Sequence, residues 1–214
     1  MDLKYLIRNS EIKKNSPSIF LLHGYGSNKE DLFSLEGYLP KNHTIISLEA
    51  PILLPFGGFT WFEVNQVDIL NKSYYKKKDE VDNIAKIIID NIDKLSIMFE
   101  LNKTDTTVLG FSQGASICWK LGLDHSEKIR RILPISSYIN LNVFDNKVDS
   151  YNNILAYTSH GLHDNIIPIS LVKDTILELK KYNDNITFEE FESAHTINQE
   201  NLSSIIKWID ETNI

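Results

Sequence analysis

The chain has 214 residues, of which 42% are hydrophobic and 24% charged, with a formal net charge of −7. That balance fits one folded domain with a substantial core and argues against intrinsic disorder and against a nucleic-acid surface. The single cysteine, Cys118, excludes an intramolecular disulfide framework, no Cys/His spacing reads as a zinc site, and no segment has the length of a membrane span. Met1-Asp2-Leu3-Lys4 begins directly in a strand-like segment, without the basic start and apolar stretch of a signal peptide. A soluble, cytoplasmic protein is expected.

Apolar β-branched runs alternate with helical periodicities along the chain. Ser18 to Leu22 reads as a buried strand closed by His23-Gly24-Tyr25-Gly26. A helix is expected from Lys29 to Leu39 and a strand from Thr44 to Leu48. The stretch from Glu49 to Tyr75 is a long loop carrying Pro51, Pro55, Gly57-Gly58, Trp61 and Phe62, and loops of that length in compact domains are usually functional. Lys76-Lys77-Lys78 reads as a solvated helix start, offset by Asp79-Glu80. Val81, Ile84, Ala85, Ile88, Ile92, Leu95 and Phe99 then recur at helical spacing.

Thr106 to Leu109 is the next strand and Ala115 to Leu123 the helix behind it. Ile129–Ile135 and Ile154–Ser159 read as strands, Pro168–Lys181 as a helix, Thr187–Phe191 as a strand, and Gln199–Asp210 as a closing helix. Such alternation implies an α/β fold, a mostly parallel sheet covered on both faces. There is no internal repeat, low-complexity tract or linker. Residues 1–214 are expected to form a single α/β domain.

Between the Thr106–Leu109 strand and its helix lies Gly110-Phe111-Ser112-Gln113-Gly114. A Gly-x-Ser-x-Gly in that setting is a nucleophile elbow, in which a sharp turn lifts the serine hydroxyl above the sheet at a helix N-terminus. The flanking glycines are needed because side chains there would collide with the neighbouring backbone. A serine hydroxyl needs a general base, normally a histidine oriented by a buried carboxylate, and on this fold the chain order is serine, acid, histidine. Only His125, His160, His163 and His195 follow Ser112, and only His195 also follows a plausible acid at the end of a later strand. The acid belongs in the loop after the Ile154–Ser159 strand, where Asp164 is the only carboxylate. Asp174 falls in the next helix, and Asp145 and Asp149 in an earlier connection. An N-cap or turn role for Asp164 is compatible with the catalytic one.

An oxyanion hole needs two backbone donors. The N–H of Gln113 is one candidate, and the N–H of Tyr25 in the His23–Gly26 loop is the other. That loop has neither of the common phosphate-binding glycine spacings, so phosphate binding is the weaker reading.

With Leu22-His23-Gly24-Tyr25-Gly26, Ala50-Pro51, Trp61-Phe62, Gly110-Phe111-Ser112-Gln113-Gly114, His160-Gly161 to Asp164, Pro168 and His195 in view, the chain resembles the phospholipase/carboxylesterase family of small α/β-hydrolases. That family includes acyl-protein thioesterases and bacterial carboxylesterases. The resemblance implies serine-dependent hydrolysis of carboxylic esters or thioesters without metal or cofactor. The family often carries a further aspartate just after the glycine of its His-Gly acid motif, where this chain has Leu162. Ala115-Ser116 follows the elbow in place of another glycine.

Leu53, Leu54, Phe56, Phe59 and Trp61 have two readings, as the lining of an apolar acyl groove or as residues that pack the long loop onto the body. Leu53, Phe59 and Trp61 are the candidate substrate-binding residues. Cys118 reads as a packing residue. The expected partner is a small-molecule ester or acyl substrate, with no nucleic acid, no membrane span and at most a weak homodimer. An amide or peptide hydrolase on the same fold remains an alternative, against which the absence of a cap-sized insertion argues. A non-catalytic binding protein usually lacks a member of the triad, and here all three residue types are present.

Overall fold

The computed structural model describes residues 1–64, 78–138 and 154–213. Their strands are β1 (Tyr5–Arg8), β2 (Ser16–Leu22), β3 (Thr44–Leu48), β4 (Ile52–Leu53), β5 (Phe59–Thr60), β6 (Leu101–Phe111), β7 (Arg131–Ile135), β8 (Leu155–Gly161) and β9 (Ile186–Phe191). Their helices are α1 (Lys29–Phe33), α2 (Lys78–Met98), α3 (Gln113–Asp124), α4 (Ile169–Lys180) and α5 (Gln199–Glu211). Seven strands form one sheet in the order β1-β3-β2-β6-β7-β8-β9. Only β1 runs antiparallel to its neighbour, with Tyr5 opposite Leu48. The others are parallel, so Phe20 of β2 lies between Ile46 of β3 and Val108 of β6.

The sheet is mostly parallel because the connections cross over its faces, and its central strands are buried on both sides. In β2 alternate residues go to opposite faces. Ile19 and Leu21 join a core with Leu32, Leu39, Ile205, Trp208 and Ile209, while Phe20 and Leu22 join the larger core under α2, α3 and α4. All four β2 residues are inaccessible to solvent.

Several boundaries differ from the sequence expectation. The helix read from Lys29 to Leu39 ends at Phe33. Beyond it, hydrogen bonds such as Leu35 N–H to Leu32 and Tyr38 N–H to Leu35 span three residues, so the chain continues as tight turns through Gly37 towards Pro40. Met1–Lys4 lies ahead of β1, held against α2 where Asn91 accepts from Leu3 N–H and donates to the Met1 carbonyl, each at 3.0 Å. The long loop contains the short β4–β5 ladder. Its residues 65–75, Lys76 and Lys77, and Asp145 and Asp149 lie outside the described residues. Among the described residues no helix is long and apolar enough to cross a membrane.

Candidate active site

Ser112 joins the carboxyl end of β6 to the first turn of α3, with φ 53° and ψ −113°. Few L-residues adopt that region, at a cost of about 1–3 kcal/mol. The turn is fixed from both sides. Ser112 N–H donates to the Ile135 carbonyl of β7 at 2.9 Å, and Ser112 O accepts from Ser116 N–H at 3.1 Å. A Cβ on Gly110 would lie 2.4 Å from the Gly114 backbone, and one on Gly114 would lie 2.0 Å from the Leu22 carbonyl oxygen. Both glycines are therefore dictated by backbone contact, as the elbow reading requires.

His195 follows β9 and Asp164 follows β8, and parallel pairing of these strands brings their loops together. His163 N–H donates to Ser193 O and Leu162 N–H to Phe191 O. A Cβ on Gly161 would lie 2.3 Å from the Ala194 carbonyl oxygen, so only glycine lets the two loops sit this close. The His195 Nδ1 to Asp164 Oδ2 distance is 2.7 Å. The other carboxylate oxygen accepts from Ile166 N–H at 2.8 Å and Ile167 N–H at 2.9 Å. Asp164 thus orders the turn before α4 while it holds the histidine.

Burial alone would raise the Asp164 pKa. Hydrogen bonds from His160, His195 and the Ile167 backbone outweigh it and hold the carboxyl well below the usual carboxylate range. The His195 ring packs on Phe111, with centroids 4.8 Å apart, which sets it beside the residue preceding Ser112. Asp174 lies on α4 with its side chain exposed, away from this arrangement.

The loop after β2 faces the elbow. A Cβ on Gly24 would lie 3.5 Å from Ser112 Cβ and 3.4 Å from the Phe111 ring. Tyr25 is half exposed and its ring meets Phe56 at 6.4 Å. The loop is braced by His23, whose Nε2 accepts from Ala50 N–H at 3.1 Å. Its Nδ1 therefore carries the proton and donates to Gly24 O at 2.8 Å. Burial lowers the pKa of this ring.

The region after β3 closes over the same loop. Gly26 N–H donates to Phe59 O and Phe59 N–H to Ser27 O. Trp61 is buried, with its Nε1–H donating to His23 O at 2.8 Å. Of the candidate substrate-binding residues, Trp61 thus packs the loop onto the body from behind. Phe59 is partly buried against the same core, while Leu53 is 67% exposed.

A model of the family described as Phospholipase/Carboxylesterase matches residues 6–213. The chain belongs to that family. Solved structures with the same fold include esterase PE8, at 20% identity over all of both chains with a TM-score of 0.83. The carboxylesterase of Bacillus cereus is 16% identical over 98% of this chain and 94% of that one, with a TM-score of 0.82. Acyl-protein thioesterase 2 of Zea mays is 19% identical over 97% and 98% of the two chains, with a TM-score of 0.71. No curated protein sequence matches the chain.

Within this family member, two side chains beside the elbow were not assigned a role by sequence reasoning. Gln113 reaches back from α3, where its Oε1 accepts from Thr60 Oγ1–H and Trp61 N–H and its Nε2 donates to Phe62 O at 2.8 Å. No local sequence signal marks this role, because the amide is fully buried against residues more than fifty positions away. Phe111 carries the histidine ring, and with His195, Leu32, Leu35, Ile197 and Asp31 it lines a cavity of about 180 Å³. Cys118 is fully buried and burial raises its thiol pKa well above the ordinary value, so it is inert packing. Among the described residues no group of three or more His, Cys, Asp or Glu side chains is set to hold a metal ion.

Proposed function

We propose that the protein is a serine hydrolase of carboxylic esters or thioesters, with Ser112 as nucleophile, His195 as general base and Asp164 as the carboxylate that orients it. The observation that carries this reading is the 2.7 Å Asp164–His195 bond beside a strained serine at a helix N-terminus. Asp164 accepts the Nδ1 proton of His195, which leaves Nε2 bare to take the Ser112 proton. Ser112 Oγ then attacks the acyl carbonyl, and the charge that develops is met by the N–H groups of Tyr25 and Gln113. Loss of one such donor typically costs about 10²–10³ in turnover. His195 next protonates the departing alkoxide or thiolate, and later activates the water that releases the acid from Ser112.

The acyl chain is assigned to the side of Tyr25, where Leu53 and Phe56 stand exposed, and the small cavity beside His195 to the leaving group. The fold shared with a carboxylesterase and an acyl-protein thioesterase agrees with this chemistry without choosing between its substrates.

A fluorophosphonate probe tests the assignment without knowledge of the substrate. It requires an activated serine, so the adduct is expected on Ser112 in the native chain and on no serine in Ser112→Ala. Labelling that persists in Ser112→Ala, or is absent from a folded native chain, would overturn the reading.

A further inference from the structure

The carboxylate of Asp164 has a fourth neighbour that the reaction does not itself use. His160, on β8, is inaccessible to solvent, and its Nε2 lies 2.7 Å from the Ile167 carbonyl oxygen and 3.2 Å from Asp164 Oδ2. Both are acceptors, so Nε2 must carry a proton and share it between them. The other ring nitrogen, Nδ1, is buried with no hydrogen-bond partner. A ring held only for packing would leave neither nitrogen aimed so narrowly. Every polar contact of this imidazole instead falls on the loop that carries the acid.

The contacts close a cycle. Asp164 Oδ1 accepts from Ile167 N–H, Ile167 O accepts from His160 Nε2–H, and the same Nε2–H meets Asp164 Oδ2, the oxygen that holds His195. The two backbone donors on Oδ1 fix one oxygen, and His160 lies against the second, which His195 also meets. Rotation of the carboxylate about its Cβ–Cγ bond would break contacts at both oxygens. Resting on the assignment of Ser112, His195 and Asp164 above, we infer that His160 is a positioning residue that sets the orientation of the Asp164 carboxylate, and through it that of the His195 ring.

The experiment compares His160→Leu, His160→Asn and His160→Gln. The glutamine amide reaches about as far as Nε2 and restores a donor, the asparagine amide stops near Nδ1, and leucine offers none. With p-nitrophenyl butyrate, kcat in the leucine and asparagine variants is expected to fall on the order of 10- to 10²-fold, the range for a displaced catalytic group, with KM nearly unchanged. Glutamine is expected to return most of the loss. Native kcat in a folded leucine or asparagine variant, or a glutamine variant as impaired as leucine, would overturn the inference.

A second readout covers variants that fail to fold. In ¹⁵N NMR of the native chain, His160 should show a proton on Nε2 and a bare Nδ1, and the Nε2–H signal should move in Asp164→Asn. The opposite tautomer, or a signal indifferent to Asp164→Asn, would overturn it. Turnover that survives in Ser112→Ala contradicts the proposed function instead, and leaves the NMR test of His160 standing.

Discussion

Gln113 Oε1 accepts the backbone N–H of Trp61 at 3.1 Å, across 52 positions of sequence. The residue that follows the elbow serine thereby anchors the loop that backs the His23–Gly26 loop. Trp61 in turn donates from its indole to His23 O, so elbow, long loop and His23–Gly26 loop are joined in one buried network. In Gln113→Ala the Trp61 N–H and the Phe62 carbonyl lose a buried partner. A destabilisation of about 1–3 kcal/mol is expected. Denaturant unfolding measures it, and esterase kcat should fall in the protein that remains folded. An unchanged midpoint with native kcat would show that the network is dispensable.

Gly114→Ala is predicted to be more damaging than its single methyl suggests. The added Cβ would lie 2.0 Å from the Leu22 carbonyl oxygen and 2.7 Å from that of His23, both rigid backbone. Relief requires α3 to move away from β2, which displaces the elbow and the His23–Gly26 loop together. Loss of soluble folded protein, or a folded protein with at least a 10²-fold lower kcat, is the expected result, the latter being the scale for a misplacement of about 1 Å. Native activity in Gly114→Ala would contradict the packing at this elbow.

Asp164→Asn separates charge from shape. The carboxamide fills the same space but can turn its NH₂ towards His195, which favours the tautomer with the proton on the wrong nitrogen. A fall in kcat on the order of 10⁴ is the scale known for this change in a serine hydrolase triad. Circular dichroism of the variant checks that the fold persists, and a loss of less than 10-fold would argue that another carboxylate serves His195.

The order of strands and helices was legible because most buried strands are short apolar runs and helices such as α2 carry an apolar stripe at helical spacing. Thr44–Leu48 is a strand in sequence and structure alike, and the elbow glycines were legible because backbone collision leaves no other residue type. The Lys29–Leu39 helix was overread because apolar Leu32, Leu35 and Leu39 keep a helical spacing that tight turns also satisfy. The site was only partly legible. Chain order could single out Ser112, Asp164 and His195 as the candidate triad of the proposed function, but the role of the Gln113 side chain depends on contacts more than fifty positions away. Trp61 could not be assigned to groove or packing from sequence, since both need an aromatic ring in the same loop.

Acid sensitivity should come in part from His43, far from the site. Its Nε2 accepts from Arg131 and its Nδ1 donates to Asn42 Oδ1, so the ring is held neutral. Burial first, and then the positive charge of Arg131, push its pKa down to about 3. The unfolded chain takes up a proton near the ordinary histidine value of about 6.5, while the folded chain does not. The neutral ring costs no stability above that value. As pH falls from about 6.5 towards 3 the unfolded state gains, by up to about 1.4 kcal/mol per pH unit for one proton. His43→Gln keeps an acceptor for Arg131 and cannot titrate. The slope of unfolding free energy between pH 6 and 5 should therefore be shallower in the variant by close to one proton, and an unchanged slope would contradict a neutral buried His43.

The measurement that reaches the central claim most directly is hydrolysis of p-nitrophenyl esters from acetate to palmitate by the native chain and by Ser112→Ala in parallel. The account predicts turnover by the native chain that disappears into the uncatalysed background in Ser112→Ala, with the preferred acyl length reporting how far the Leu53–Phe56 side is used. Turnover of equal size in both proteins, or none at any length by a folded native chain, would contradict it.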